Sequence, residues 1–172
     1  MKQDDDSNDS SHSASSSTGD TGTRSARQQA LIRLNVREYA AGEMSSYLRR
    51  KKYDVAEINE AVKQLVEEGL INDDRYSKII ARHSANRGKG PGYIQAKLRQ
   101  KGVKLSSTEA KTLFSENSSE SELELAKRIL EARYPLAFEN MKEKQRAYQG
   151  LIRRGISHEV AQRCMKKEVL LK

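Results

Sequence analysis

The sequence predicts an all-α fold, and three observations predict it. Apolar residues recur at three- and four-residue steps without the strict alternation of a strand. Among 172 residues only Pro91 and Pro135 interrupt that pattern. A longer regularity lies over both: "LRRKKY" (Leu48 to Tyr53), "LRQKGV" (Leu98 to Val103) and "LIRRGI" (Leu151 to Ile156) share a leucine, then basic residues, then an apolar residue five places on. The copies begin 50 and 53 residues apart. Tandem three-helix units are therefore expected at 25–71, 72–117 and 118–172, behind a tail at 1–24. Stacked in a row, such units would share a continuous core and form an elongated, curved array.

In the first unit the spacing predicts a helix over about 25–40 carrying Leu31, Leu34 and Tyr39, with Gly42 as its breaker. A short helix over about 43–51 follows, through Met44, Tyr47 and Leu48. "DVAE" (Asp54 to Glu57) is an acidic N-cap with a glutamate three residues on, opening a helix with Ile58, Val62, Leu65 and Val66 on one face. Gly69 ends it. The second unit opens on "NDD" (Asn72 to Asp74), a cap for a helix whose stripe reads Tyr76, Ile79, Ile80 and His83. "RGKGPG" (Arg87 to Gly92) forces a loop, the next helix carries Ile94 and Leu98, and "SSTE" (Ser106 to Glu109) is a capping box for a third helix ending near Leu113 and Phe114. In the third unit Leu123, Ala126, Ile129 and Leu130 make a stripe that "YPLAF" (Tyr134 to Phe138) breaks. A helix over about Met141 to Arg153 follows, and Gly155, Ile156 and Ser157 turn the chain into a last helix with Val160 and Cys164 inward.

Residues 1–24 read differently. They are rich in Asp, Ser, Thr and Gly, and they lack the apolar side chains that offset the entropy of ordering, so a disordered acidic tail is expected. They have neither the apolar core of a secretory signal nor the basic character of a transit peptide. No apolar run approaches the ~20 residues that span a bilayer. The formal net charge is +8; the tail has five aspartates against Lys2 and Arg24, net −3, which leaves +11 on residues 25–172. A body that basic is expected to meet an acidic partner, nucleic acid or protein. Cys164 is the only cysteine, which fits a reducing cytoplasm and allows no internal disulfide.

Cations near a helix C-terminus gain roughly 0.3–1 kcal/mol each, so the recurring basic turn has a structural explanation. That does not account for its quantity. Arg49, Arg50, Lys51 and Lys52, then Lys97, Arg99, Lys101 and Lys104, then Arg153 and Arg154 recur along the array, with Arg82, Arg87 and Lys89 near the second unit's loop. These are the candidate residues for contact with an acidic partner or DNA.

Three stretches resemble the RecX family of bacterial regulatory proteins: "REYAAGEMSSYLRRK" (Arg37 to Lys51), "GLINDDRYS" (Gly69 to Ser77) and "GKGPGYIQAKLRQKGV" (Gly88 to Val103). With "LIRRGIS" as a third basic repeat, the resemblance covers about residues 27–168. Arg37, Glu38, Asp73, Asp74, Arg75 and Tyr76 are the family-motif residues within it. Lys52 stands where the family usually has glycine, Ser77 where alanine is common, and the acidic tail is outside the family pattern. The resemblance implies tandem three-helix units, and a protein that binds the RecA recombinase filament on DNA, in its groove or at its growing end, restraining ATPase, strand-exchange and coprotease activities.

No catalytic constellation is legible. "GKGPGY" places its lysine before the second glycine and lacks the hydroxyl of a phosphate-binding loop. His12, His83, His158 and Cys164 are scattered, so neither metal nor cofactor is expected. Arg37–Glu38 and Asp73–Asp74 read as surface pairing and capping. Two classes remain: a monomeric, non-enzymatic modulator of a recombinase filament, and a general DNA-binding protein tracking phosphate. With no Trp, two Phe and seven Tyr, little is left for a base-stacking platform.

Overall fold

The structure, a computed structural model, describes residues 24–166. The tail expectation lies almost wholly outside these residues. Among them are nine helices and no strand: α1 (Ala26–Leu34), α2 (Ala41–Arg50), α3 (Val55–Glu67), α4 (Asp73–Asn86), α5 (Pro91–Gln100), α6 (Ser107–Asn117), α7 (Glu122–Arg133), α8 (Met141–Arg153) and α9 (His158–Cys164). The helices pack in consecutive threes, α1 with α2 and α3, α4 with α5 and α6, α7 with α8 and α9.

Capping chemistry sets most starts. Ser25, Ser106 and Ser121 each accept from the third residue of their helix and receive a Gln or Glu side chain in return, so two orphan N–H groups are satisfied at once. Asp54, Asn72, Asn140 and Ser157 cap α3, α4, α8 and α9 with their side-chain oxygens. Pro91 opens α5, where its missing N–H costs nothing.

The three basic turns share one stop signal. Leu48, Leu98 and Leu151 accept from the N–H groups of Tyr53, Val103 and Ile156 at 3.3, 3.0 and 3.1 Å. Arg49, Arg99 and Ile152 accept from Lys52, Gly102 and Gly155 at 3.0, 3.1 and 2.9 Å. This is the Schellman closure, which requires the last-named residues to take the left-handed conformation; φ is 65°, 89° and 84° there. The leucines are fully buried and the apolar residue five places on packs with them. Lys52 adopts this conformation without being glycine. Lys52→Gly is expected to raise stability by about 0.5–1 kcal/mol, read as a higher denaturant midpoint at unchanged slope.

Several expectations are corrected. The first helix ends at Leu34, and Tyr39 is buried in the connection that follows. Gly42 breaks nothing: it is the second residue of α2, as Gly92 is of α5. Val66 and Ile79 are exposed, at 46% and 36%, and His83 also faces solvent. The face of α4 that packs is Tyr76, Ser77, Ala81, Ser84 and Ala85, where small side chains let α5 and α6 approach closely. The core is not continuous. Residues of α1–α3 form one cluster, and α4–α9 with Ala40 form another.

Candidate interaction surface and the joints that present it

The second and third basic turns are docking elements between helix triplets. The turn after α8 meets the start of α5: Arg154 and Gly155 carbonyls accept from the N–H groups of Gly90 and Gly92, both at 2.8 Å. A Cβ on Gly155 would lie 2.1 Å from the Tyr93 nitrogen, and one on Gly90 would lie 2.7 Å from the Gly155 oxygen. The turn after α5 meets the start of α2 in the same way, where a Cβ on Gly42 would come within 2.8 Å of Gly102 Cα and of the Lys101 oxygen. The C-terminal end of one middle helix thus faces the N-terminal end of another, which brings ends of opposite partial charge together. These glycines are there for close approach of backbone to backbone.

Glu43, which sequence reasoning missed, is the hub of the joint between α1–α3 and α4–α6. Its carboxylate is 9% exposed. It accepts from both terminal nitrogens of Arg37 at 2.9 and 3.0 Å, from Lys101 Nζ at 2.5 Å and from the Tyr76 hydroxyl at 3.2 Å. Burial alone would push this carboxyl up; the hydrogen bonds and charges of Arg37 and Lys101 outweigh it and hold Glu43 at about 2, below its ordinary 4.5. Burial, then the adjacent Glu43 charge, pushes the Tyr76 phenol up to about 12. Arg37 also lies 3.7 Å over the Tyr39 ring.

Of the other family-motif residues, Asp73, Arg75 and Glu38 serve the same joint. Asp73, in the first turn of α4, accepts from the Ala41 N–H at 2.9 Å and so caps α2. Arg75 binds Glu38 bidentately at 2.7 and 3.0 Å and reaches the Gly69 and Leu70 carbonyls at 3.3 Å. Asp74 is exposed in the first turn of α4, beside that helix's positive end.

The candidate cations separate into two groups. Arg49, Arg50, Lys51, Lys52, Arg82, Arg87, Arg99 and Arg153 are exposed, and none has an acidic partner within 4.0 Å among the described residues. Lys104 is likewise exposed. By contrast Lys101 is bound to Glu43, and Arg154 turns toward the Gly88 carbonyl at 3.5 Å. Lys89 and Lys97 place their ammonium groups 4.8 and 5.9 Å from the centre of the Tyr93 ring. In the second and third turns the last basic residue before the left-handed position is the one turned toward a joint, whereas Lys51 at the same place in the first turn is exposed. The recurrence of glycine after Lys101 and Arg154, and its replacement by Lys52, was the signal available in the sequence.

Among the described residues no three His, Cys, Asp or Glu side chains are grouped to hold a metal, and no helix is long and apolar enough to cross a membrane. Cys164 is fully buried, and that burial raises its thiol pKa.

The family descriptions for the second and third three-helix domains of RecX match residues 72–105 and 120–165. The regulatory protein RecX of Haemophilus ducreyi is 31% identical over 129 residues, covering 73% of this chain and 81% of that protein. The regulatory protein RecX of Bacillus cytotoxicus is 28% identical over 147 residues, 84% of this chain and 54% of that protein. A crystal structure of regulatory protein RecX superimposes with a TM-score of 0.67 at 24% identity, covering 80% of this chain and 68% of that one. The crystal structure of RecX from Lactobacillus salivarius gives 0.62 at 22% identity, covering 86% and 96%. Those two structures speak to the fold; the identity and coverage of the Haemophilus relative speak to descent. With motif residues that assemble one joint and a turn that recurs three times, the chain belongs to the RecX family of regulatory proteins.

Proposed function

We propose that this protein binds the RecA recombinase filament on DNA and lowers its ATP hydrolysis, strand exchange and coprotease activity, with no chemistry of its own. Family membership is the observation that carries this reading. The geometry supports it by leaving Arg49, Arg50, Arg99 and Arg153 exposed and without an acidic partner among the described residues, while glycine-tight joints hold the units that bear them. Several units docking on one filament gain by effective concentration, because each bound unit makes the next contact intramolecular. The protein acts as a cytoplasmic monomer, needs no cofactor, and touches DNA as an accessory contact.

Binding to bare and to RecA-coated single-stranded DNA across a salt series tests this. Tighter binding to the coated form, retained at high salt, is expected. The second reading, a general DNA-binding protein, rests on the same unpaired cations and expects equal, steep loss on both substrates, since log affinity falls by about 0.7 per single-strand phosphate contact for each decade of salt.

Replacing Arg49, Arg50 and Arg99 together with glutamine is expected to leave thermal unfolding within about 1 kcal/mol of wild type, because exposed substitutions cost little. Filament affinity should fall at least about tenfold. Wild-type affinity in this triple variant would show that these residues serve only the helix ends. Lys101 is left out of the set because its loss would also disturb Glu43.

A further inference from the structure

Between α4–α6 and α7–α9 lies a cleft of about 440 Å³ whose residues the joint does not use up. Pro91, Ala110 and Ile156 in its lining are buried, with half-buried Ala96 and Ile152 beside them, so its floor is apolar. Lys111 and Arg153 in the same lining are exposed and form a cationic rim. Tyr93, also in the lining, carries the Lys89 and Lys97 ammonium groups against its ring. Two acids adjoin the lining: Glu122, held by the Ser157 N–H and hydroxyl at 2.6 and 3.2 Å, and Glu159, 83% exposed and 3.6 Å from Lys111, a surface pair that an incoming carboxylate can displace at little cost.

We propose that this cleft is a docking site for an acidic peptide segment with an apolar anchor: a leucine- or phenylalanine-sized side chain enters the floor, and flanking carboxylates meet Lys111, Arg153 and the lysines on Tyr93. The proposal deepens the filament-binding reading and rests on it for the segment's origin, a protein subunit of the filament. Charge complementarity selects an acidic occupant, and the floor selects among acidic occupants. A phosphodiester backbone gains from cations and N–H donors and gains nothing from alanine, proline and isoleucine carbons. Base stacking needs an open aromatic face, whereas the Tyr93 ring is half-buried with an ammonium 4.8 Å from its centre. An apolar centre ringed by charge is the usual anatomy of a protein-binding hot spot.

The test titrates the full chain, isotopically labelled for amide NMR, with three probes. One is a short peptide with a leucine–phenylalanine pair flanked by glutamates, the second is its glutamine counterpart, and the third is an oligothymidylate of equal charge. The glutamate peptide is expected to shift amides of Tyr93, Ala96, Lys111 and Ile156, with the glutamine peptide at least about tenfold weaker. Arg153→Glu should weaken the glutamate peptide by a similar factor, and Ala96→Trp, which fills the cleft, should abolish its shifts while the remaining spectrum stays native. Equal binding of both peptides, shifts mapping elsewhere, or oligothymidylate in the cleft in place of peptide would each overturn the proposal. Filament binding is measured alongside on the wild type and Ala96→Trp. A wild type that binds peptide in the cleft but ignores the filament sinks the filament reading and leaves the site. A wild type that binds the filament but not the peptide sinks the site and leaves the filament reading.

Discussion

Gly155→Ala is expected to destabilise the protein by about 3–4 kcal/mol and to separate the unfolding of α7–α9 from the rest. Two costs combine. The left-handed conformation charges a non-glycine residue about 1–2 kcal/mol, and φ here is 84°. The new methyl would lie 2.1 Å from the Tyr93 nitrogen and 2.7 Å from its Cβ, an overpacking that costs a further ~1–3 kcal/mol and cannot be relieved by rotating a side chain, because the nearest atom is backbone. Relief by parting the two triplets would instead break the Gly90 and Gly92 hydrogen bonds to Arg154 and Gly155. Gly69→Ala is the reference, since Gly69 has a φ of 70° but nothing within 4 Å of a Cβ. It should show only the backbone cost, about 1 kcal/mol. Denaturant unfolding of both variants isolates the joint by difference. Equal losses in the two would show that the contact at Gly155 contributes nothing.

The second large effect is acid lability carried by Glu43. Its folded value of about 2 lies below its ordinary 4.5, so the folded state favours the charged carboxylate. The resulting stability is complete above the upper value and drains away as pH falls toward the lower one. The difference is worth about 2–3 kcal/mol, allowing for the solvent that reaches Arg37 and Lys101. Glu43→Gln is therefore expected to cost about that much near neutral pH and only a few tenths of a kcal/mol, roughly, at about pH 2, where the wild-type carboxyl is half protonated in the folded state. Chemical denaturation of both proteins across this range checks it. A cost that does not change with pH would mean that the side chain acts by shape and not by charge.

The elements most legible in the sequence were those specified locally. Asn72, Ser106 and Asp54 announce their helices because a capping side chain needs only residues two or three places away, and the bounds of α8 follow from Pro135 on one side and Gly155 on the other. The joints were not legible, because they depend on which distant backbone comes near. Gly42 reads as a helix breaker by propensity, yet it is required inside α2 by the approach of Gly102. Glu43 looks like any helix-surface glutamate until Lys101, 58 residues away, is placed beside it. The inner face of α4 misled for a related reason: hydropathy favours Ile79, while packing density favours Ala81, Ser84 and Ala85, whose smallness does not register as a hydrophobic stripe.

The docking of one turn onto the start of the next helix is a heterologous contact, in which the two mating surfaces differ. Contacts of that kind have no intrinsic end, and a protein with both surfaces free at its two ends can string copies together into fibres. Lys52 bears on this directly. At the corresponding points of the other two turns, Gly102 and Gly155 admit a helix N-terminus only because they lack a Cβ. At position 52 a lysine occupies the same left-handed site, and its Cβ would stand where the neighbouring backbone must come. The side chain that costs the first unit some stability therefore also denies its turn the close backbone approach on which both other joints depend. One residue thus makes this turn a poor copy of the other two, a safeguard against the open-ended stacking that identical joints would allow.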